Sequence, residues 1–408
     1  MLKSNTLTVW KCRAIPRWWH LTIALLFLWP LSLGAWTNGQ LLIWMDSERA
    51  QGLGPIVKRF ANDLGIKVRI ETPVNIVNNF ALAAQARQGP DIVIWAHDKV
   101  GEWADSGLIA PVEPRSEFVR KFYPEAWEAV RHQNAAWGYP IALETITLIY
   151  NKKLLVGGPP TDLSDLLSMN RLIQDRHRDA RTILWDYKSP YYSWGILASA
   201  GGYVFKRRGT NYDTKDIGVA TPETIEGLSE FVDLVRNGIL PLGPVGGEGE
   251  ELMARGKLAM TISGPWYWPN LIENRIDFGL APVPGIRGKL GRPFVGVSVA
   301  YRSRSSPNQD LAKAFLENYL LTDDGIGAMN RAKTIGVPAL ISLYEKLARN
   351  DLRLRQLKLA MDHGQLMPNI PQMGRFFSAV GTALQIATEG RASAHEALRA
   401  AALNMKGG

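Results

Sequence analysis

From residue 40 onward, short apolar runs alternate with stretches in which apolar residues recur every three or four positions. Leu41-Leu42-Ile43-Trp44-Met45 reads as a buried strand. A helix is predicted over Pro55 to Leu64, with Ile56, Val57 and Phe60 on one stripe and Gly65 as its stop. A second strand over Lys67 to Glu71, a helix over Val77 to Arg87 and a third strand over Asp91 to Trp95 follow. This βαβαβ order implies a mostly parallel sheet with helices on both faces, hence an α/β fold.

The later chain keeps the same style. Thr221 is suited to cap a helix that has Pro222 at its first position, with Ile225, Leu228, Val232 and Val235 on one face and Gly238 at its end. Strands are predicted over Leu258 to Ile262 and Phe294 to Ala300, and helices over Asp310 to Leu320 and near Leu340 to Arg349. Two closing helices are predicted, roughly over Met373 to Thr388 and Ala394 to Met405. A chain of 408 residues exceeds one ordinary domain, so two lobes with separate cores are expected.

The first 35 residues break the pattern. Lys3, Lys11, Arg13 and Arg17 precede an apolar run from Leu21 to Leu33 that ends in small residues at Gly34 and Ala35. A basic head, a short apolar run and a small-residue cut site describe a secretory signal peptide. The run is shorter than a spanning helix needs, although an uncleaved anchor is the alternative. Cys12, the single cysteine, lies upstream of the apolar run, so the mature chain would have neither a disulfide nor a thiol nucleophile.

The net charge of +9 falls to about +5 without the four basic residues of that head. Lys206-Arg207-Arg208 is a short basic spot, but no run alternates bases with aromatics as a nucleic-acid groove would, so no nucleic-acid partner is expected. The six histidines are scattered without metal-ligand spacing, so neither metal nor cofactor is implied.

In open parallel sheets ligands bind beyond the carboxyl ends of the strands. That rule selects Asp46-Ser47-Glu48-Arg49 and Trp95-Ala96-His97-Asp98-Lys99. With Glu144, Tyr191 and Trp266 at other loop positions, the chain offers aromatic faces beside charged groups. A tryptophan at a strand end is commonly core and a loop carboxylate commonly solvated. Spacing alone therefore stops at a two-lobe α/β protein with a polar, aromatic cleft.

Six segments add more: GPDIVIWAHDKVGEWADSGLIAP (89–111), YPIALETITLIYNKKLL (139–155), AMTISGPWYWPN (259–270), PFVGVSVA (293–300), LAKAFLENYLLTDDG (311–325) and LMPNIPQM (366–373). They closely resemble the bacterial maltose/maltodextrin-binding protein family, the periplasmic receptors of ABC importers, from about residue 40 to the end. The resemblance implies a two-lobe periplasmic-binding-protein fold with a hinge and a ligand cleft between the lobes. It places the N-terminal lobe at 36–143 plus 300–349 and the C-terminal lobe at 148–294 plus 351–408, with crossings near 144–147, 295–299 and 350.

By the same resemblance the ligand is a gluco-oligosaccharide, and the partners are the inner-membrane permease subunits of an ABC transporter. The protein would be a periplasmic monomer. The surface that docks a transporter could also dock a chemotaxis receptor.

Binding residues carry over position by position. Trp95, Ala96 and Asp98 match the family's WA-x-D contacts, and Lys99 replaces an arginine. Glu144 matches its cleft-floor glutamate, and Glu48 with Arg49 its acidic–basic pair after the first strand, with Asp46 just before. Pro190-Tyr191 and Trp266 match its aromatic platforms. The chain departs from the family at Ser189, where a glutamate stands, and at Phe377, Ser378 and Gly381, where tryptophan, tyrosine and arginine stand. Losing hydrogen-bonding partners can swing discrimination strongly, so trehalose, sucrose or a branched glucoside compete with maltose as ligand.

A glycosidase is the competing class, with Asp98 and Glu144 as acid and nucleophile. Such pairs stand about 5–5.5 Å apart in retaining enzymes and about 6.5–9.5 Å apart in inverting ones. None of the family-matching motifs is catalytic.

Overall fold

The computed structural model describes residues 39–155, 157–209, 211–243 and 247–407. The signal peptide expected over residues 1–35 and Cys12 lie outside the described residues. Two sheets organise the chain. The larger has seven strands, with Val337–Pro338, Tyr139–Glu144, Phe294–Arg302, Ile92–Ala96, Gln40–Trp44 and Lys67–Glu71 in spatial order, and Gln365–Leu366 added beside Phe294–Arg302. Gln40–Trp44 runs parallel to both of its neighbours, the arrangement expected of a βαβαβ start. Phe294–Arg302 runs antiparallel to Ile92–Ala96 and to Tyr139–Glu144.

The smaller sheet has four strands in the order Phe278–Ala281, Thr147–Asn151, Leu258–Ser263, Arg181–Ile183. The helices Pro222–Arg236, Met373–Thr388 and Ala394–Lys406 lie against one another in this second lobe. The chain passes from the larger sheet to the smaller between Tyr139–Glu144 and Thr147–Asn151, and two further segments lie beside that passage. The backbone of Gly296 pairs with that of Glu144, Thr145 Oγ1 donates to the Phe294 carbonyl at 2.9 Å, and Val295 pairs with Leu366.

The first helix differs from its sequence expectation. It runs from Ser47 to Leu64 with Pro55 in its interior. The Asp46 carboxylate starts it by accepting the Arg49 backbone N–H at 2.9 Å, as N-cap residues do. Gly52 reveals why the N-terminal half exists. A Cβ there would stand 2.3 Å from the Ala328 carbonyl oxygen, so glycine lets this helix close against Asp323–Ala332. Burial against that distant helix outweighs the interior proline. The expected helix over Asp310 to Leu320 is Gln309–Phe315 followed by a single wider turn at Leu316–Leu320.

The basic spot is partly structural. Arg208 reaches Asp213 at 3.1 Å within the hairpin Tyr203–Arg208/Asn211–Gly218, while Arg207 pairs with Glu128 of the helix Pro124–Ala129 and so ties the hairpin to the larger-sheet lobe. Among the described residues no helix is long and apolar enough to cross a membrane.

Candidate functional site

The larger-sheet wall begins where Gln40–Trp44 ends. Asp46 caps the helix, and the following turn carries Glu48 and Arg49. Arg49 Nη2 donates to Glu144 Oε1 at 2.7 Å, with the two side chains only 16% and 20% exposed. Arg49 Nη1 stands 3.9 Å from Asp46 Oδ2, which links the three groups in one row. Burial pushes the Glu144 carboxyl up, and the Arg49 guanidinium beside it works against that. Glu48 points elsewhere. It pairs with Lys333 and is 58% exposed, so it belongs to the rim.

Ile92–Ala96 delivers the second loop. Trp95 is half-buried and, with Met45 and Asp46, faces a pocket of about 410 Å³ closed by the turn from Thr72 to Asn78. The Ala96 carbonyl accepts the Tyr301 hydroxyl at 2.8 Å. His97 is fully buried and acts as a clamp, not a ligand-facing group. Its Nδ1 accepts the Val297 N–H at 3.0 Å, so the proton lies on Nε2, which donates to the Met367 carbonyl at 2.8 Å. Burial lowers its pKa to about 4.

Asp98 follows in a short 3₁₀ turn, and burial raises its pKa to about 6 against the opposing pull of Lys99. Lys99 Nζ stands 4.0 Å from Asp98 and 3.0 Å from Glu102, so its charge is shared with the helix behind.

The opposite wall rises from the smaller-sheet lobe. Pro190 opens the helix Pro190–Leu197, and Tyr191 projects from its first turn. Burial raises its hydroxyl pKa, and the charges of Glu144 and Asp98 push it the same way. Trp266 sits in the turn Pro265–Tyr267 after Leu258–Ser263. Its indole folds back over Gly264, where a Cβ would fall 2.2 Å from the ring. The Tyr191 and Trp266 rings lie 6.2 Å apart at 42°, a continuous aromatic surface.

Phe377 edges this wall but leans on the core, 5.2 Å from the Phe376 ring and 6.4 Å from the Phe294 ring. Gly381, one turn further along, would place a Cβ 3.6 Å from Pro190 Cδ, so the trimmed position also borders the platform. Ser189 makes no side-chain cap to its helix, and Ser378 is exposed.

The structure thus joins Asp46, Arg49 and Glu144 in one row, sets Trp95, Ala96 and Asp98 at the end of a strand of the same sheet, and pairs Tyr191, next to Pro190, with Trp266 in the other lobe, while Phe377 rests on the core and Glu48 and Lys99 turn toward other partners. Sequence reasoning overlooks Tyr192. Its ring is perpendicular to Tyr191 at 5.3 Å, and its only sequence signal is the doubled tyrosine after Pro190. Among the described residues no group of three or more His, Cys, Asp or Glu is placed to hold a metal ion.

Two α/β lobes joined by adjacent strands, with ionic groups on one wall and aromatic faces on the other, define a hinged binding protein. The chain belongs to the bacterial extracellular solute-binding protein family, whose model matches residues 46–326. Over 358 residues it is 28% identical to a maltotriose-binding protein of Pyrococcus abyssi, covering 85% of this chain and 77% of that one. Over 380 residues it is 26% identical to a galactooligosaccharide-binding protein of Bacillus subtilis, covering 91% and 89%. A maltooligosaccharide ABC transporter solute-binding lipoprotein of Streptococcus pneumoniae is 23% identical over 378 residues, covering 90% and 88%.

Proposed function

We propose that this protein captures a gluco-oligosaccharide of the maltodextrin class between its lobes in the periplasm and delivers it to the permease subunits of an ABC importer. The observation that carries the reading is the Tyr191–Trp266 aromatic pair of the smaller-sheet lobe together with the ionic row Asp46, Arg49 and Glu144 of the larger-sheet lobe. A pyranose presents apolar C–H faces and a rim of hydroxyls. Aromatic rings cover the faces, and ionised groups accept or donate the stronger charge-assisted hydrogen bonds to the rim. The relatives named for maltotriose and maltooligosaccharides support the glucose class. The lobes would comprise 36–143 with 300–349 and 148–294 with 351–408, closing around the sugar as a monomer.

A galactooligosaccharide is the second reading, favoured by the Bacillus subtilis relative and by the trimmed positions Ser189, Ser378 and Gly381. Calorimetric titration of purified protein with maltose, maltotriose, trehalose, sucrose and a β-galactotriose decides between them. Maltotriose is expected to bind tightest. Tighter binding of the galactoside would transfer the assignment, and a melting temperature unmoved by every glucoside would end it. Multiple turnovers of maltotriose to glucose would instead revive the glycosidase.

The site also predicts a pH dependence. A sugar hydroxyl donates to ionised Asp98, so binding favours the charged form and affinity strengthens as pH rises through about 6. Maltotriose is expected to bind about tenfold more weakly at pH 5 than at pH 7. Asp98→Asn should bind weakly throughout with most of that step gone. A wild-type affinity level across this range would place Asp98 outside the contact set.

A further inference from the structure

The pocket of about 410 Å³ beside Trp95 differs in chemistry from the ionic row it adjoins. Met45, Pro73, Ile76, Val77 and Trp95 give it apolar walls, and among the described residues Asp46 is its one charged lining group. Met45 and Ile76 are buried, so these walls belong to the folded core and stand ready before any ligand arrives. Val74 also lines the pocket, yet it is 82% exposed and so forms the lip. The turn that carries it is fixed from within. Asn75, just before the helix Ile76–Gln85, has a left-handed backbone with φ 51°, which asparagine adopts more readily than most residues. Asn79 Nδ2 donates to the Val74 carbonyl at 2.7 Å. A single exposed valine is ordinary. One held over an apolar pocket that opens beside Asp46 and Trp95, both candidate ligand contacts, calls for an apolar partner. A pyranose does not suit these walls, because its hydroxyls would lose water against Met45, Ile76 and Val77 without gaining partners. An aryl or alkyl group does, since its burial strands no polar atom. A sugar carries such a group as a glycoside, on its anomeric oxygen.

We propose that the pocket between Met45, Trp95 and the turn over residues 72–78 receives the apolar aglycone of a glucoside whose sugar lies against the ionic row. The proposal rests on the reading of the cleft as a glucoside site. It extends the ligands of that site from plain oligosaccharides to glycosides with an aryl or alkyl head.

Calorimetry of the full protein with maltose, methyl α-maltoside and phenyl α-maltoside tests this. Both glycosides block the anomeric hydroxyl, and they differ only in the apolar group. Burial of the phenyl ring should make phenyl α-maltoside bind about 20-fold more tightly than the methyl glycoside. Val77→Asp puts a charge into the apolar wall and should cut that preference to about twofold. Val74→Asp should lower it about threefold. Val74 is exposed, so its substitution spares folding and keeps the test readable if Val77→Asp does not fold. Equal affinity for the two glycosides, binding of maltose alone, or a phenyl preference undiminished in every folded variant overturns the proposal and leaves the sugar site standing. No binding of maltose or of either glycoside overturns both.

Discussion

Trp266→Ala is expected to weaken maltotriose binding about 100-fold, whereas Phe377→Ala should cost less than about tenfold. The difference follows from how much of each ring is free to meet a ligand. Trp266 presents its face beside Tyr191 with Gly264 beneath it, so a sugar on that surface could remove about 100 Å² of indole from water. At roughly 25 cal/mol per Å² that amounts to about 2.5 kcal/mol, close to the stated loss. Phe377 is already engaged with Phe376 and Phe294, and through Phe376 with Trp194, whose ring lies 5.2 Å away. Its truncation should therefore lower the melting temperature more than the affinity. Calorimetry and thermal unfolding on the same two variants separate the effects. The reverse order of affinities would move the sugar toward the helix Met373–Thr388 and away from the Pro265–Tyr267 turn.

The strand ends were the legible part of this site. Each apolar run stops abruptly at a polar loop, and the rule that ligands meet the carboxyl ends of strands points to Asp46 and Trp95 directly. Partners brought from afar were not legible. Glu48 looks like a cleft residue next to Arg49, but Lys333 claims it, and nothing local to residue 48 reveals that. Pro55 resembles a helix start because proline suits a first turn. Gly52 and Gly54 blur the apolar stripe before it, and only the approach of Ala328 shows why the helix begins at Ser47. Family resemblance supplied Glu144, Tyr191 and Trp266 together, because these lie on three elements whose adjacency is a property of two folded lobes. Tyr192 escaped both routes, since only the folded helix start shows its ring standing perpendicular to that of Tyr191.

His97→Ala is expected to destabilise the protein by about 4 kcal/mol at pH 7 and by only about 1 kcal/mol at pH 4. At neutral pH the imidazole satisfies two buried backbone groups, the Val297 N–H and the Met367 carbonyl, and so fastens the Trp95–Asp98 loop to two segments distant in sequence. Removing it orphans both groups and leaves a cavity, each a cost of about 1–3 kcal/mol. The pH term has a definite sign. The folded-state pKa is depressed to about 4 from an ordinary 6.5, so the unfolded chain takes up the proton first. The contribution of His97 is complete above about pH 6.5 and drains away as the pH falls toward 4, by about 3 kcal/mol. Asp98 works in the opposite direction, because its folded-state carboxyl is raised to about 6 and its ionisation opposes folding as pH rises from about 4 to 6. Asp98 sits in the loop that His97 holds, so both proteins are compared in an Asp98→Asn background, where the difference between their denaturant-unfolding free energies reports the histidine. Two stability curves that run parallel from pH 7 to pH 4 would mean that His97 is charged in the folded protein, with the Met367 contact alone holding it. Convergence of the curves on acidification would tie the integrity of the Trp95–Asp98 loop to a neutral imidazole.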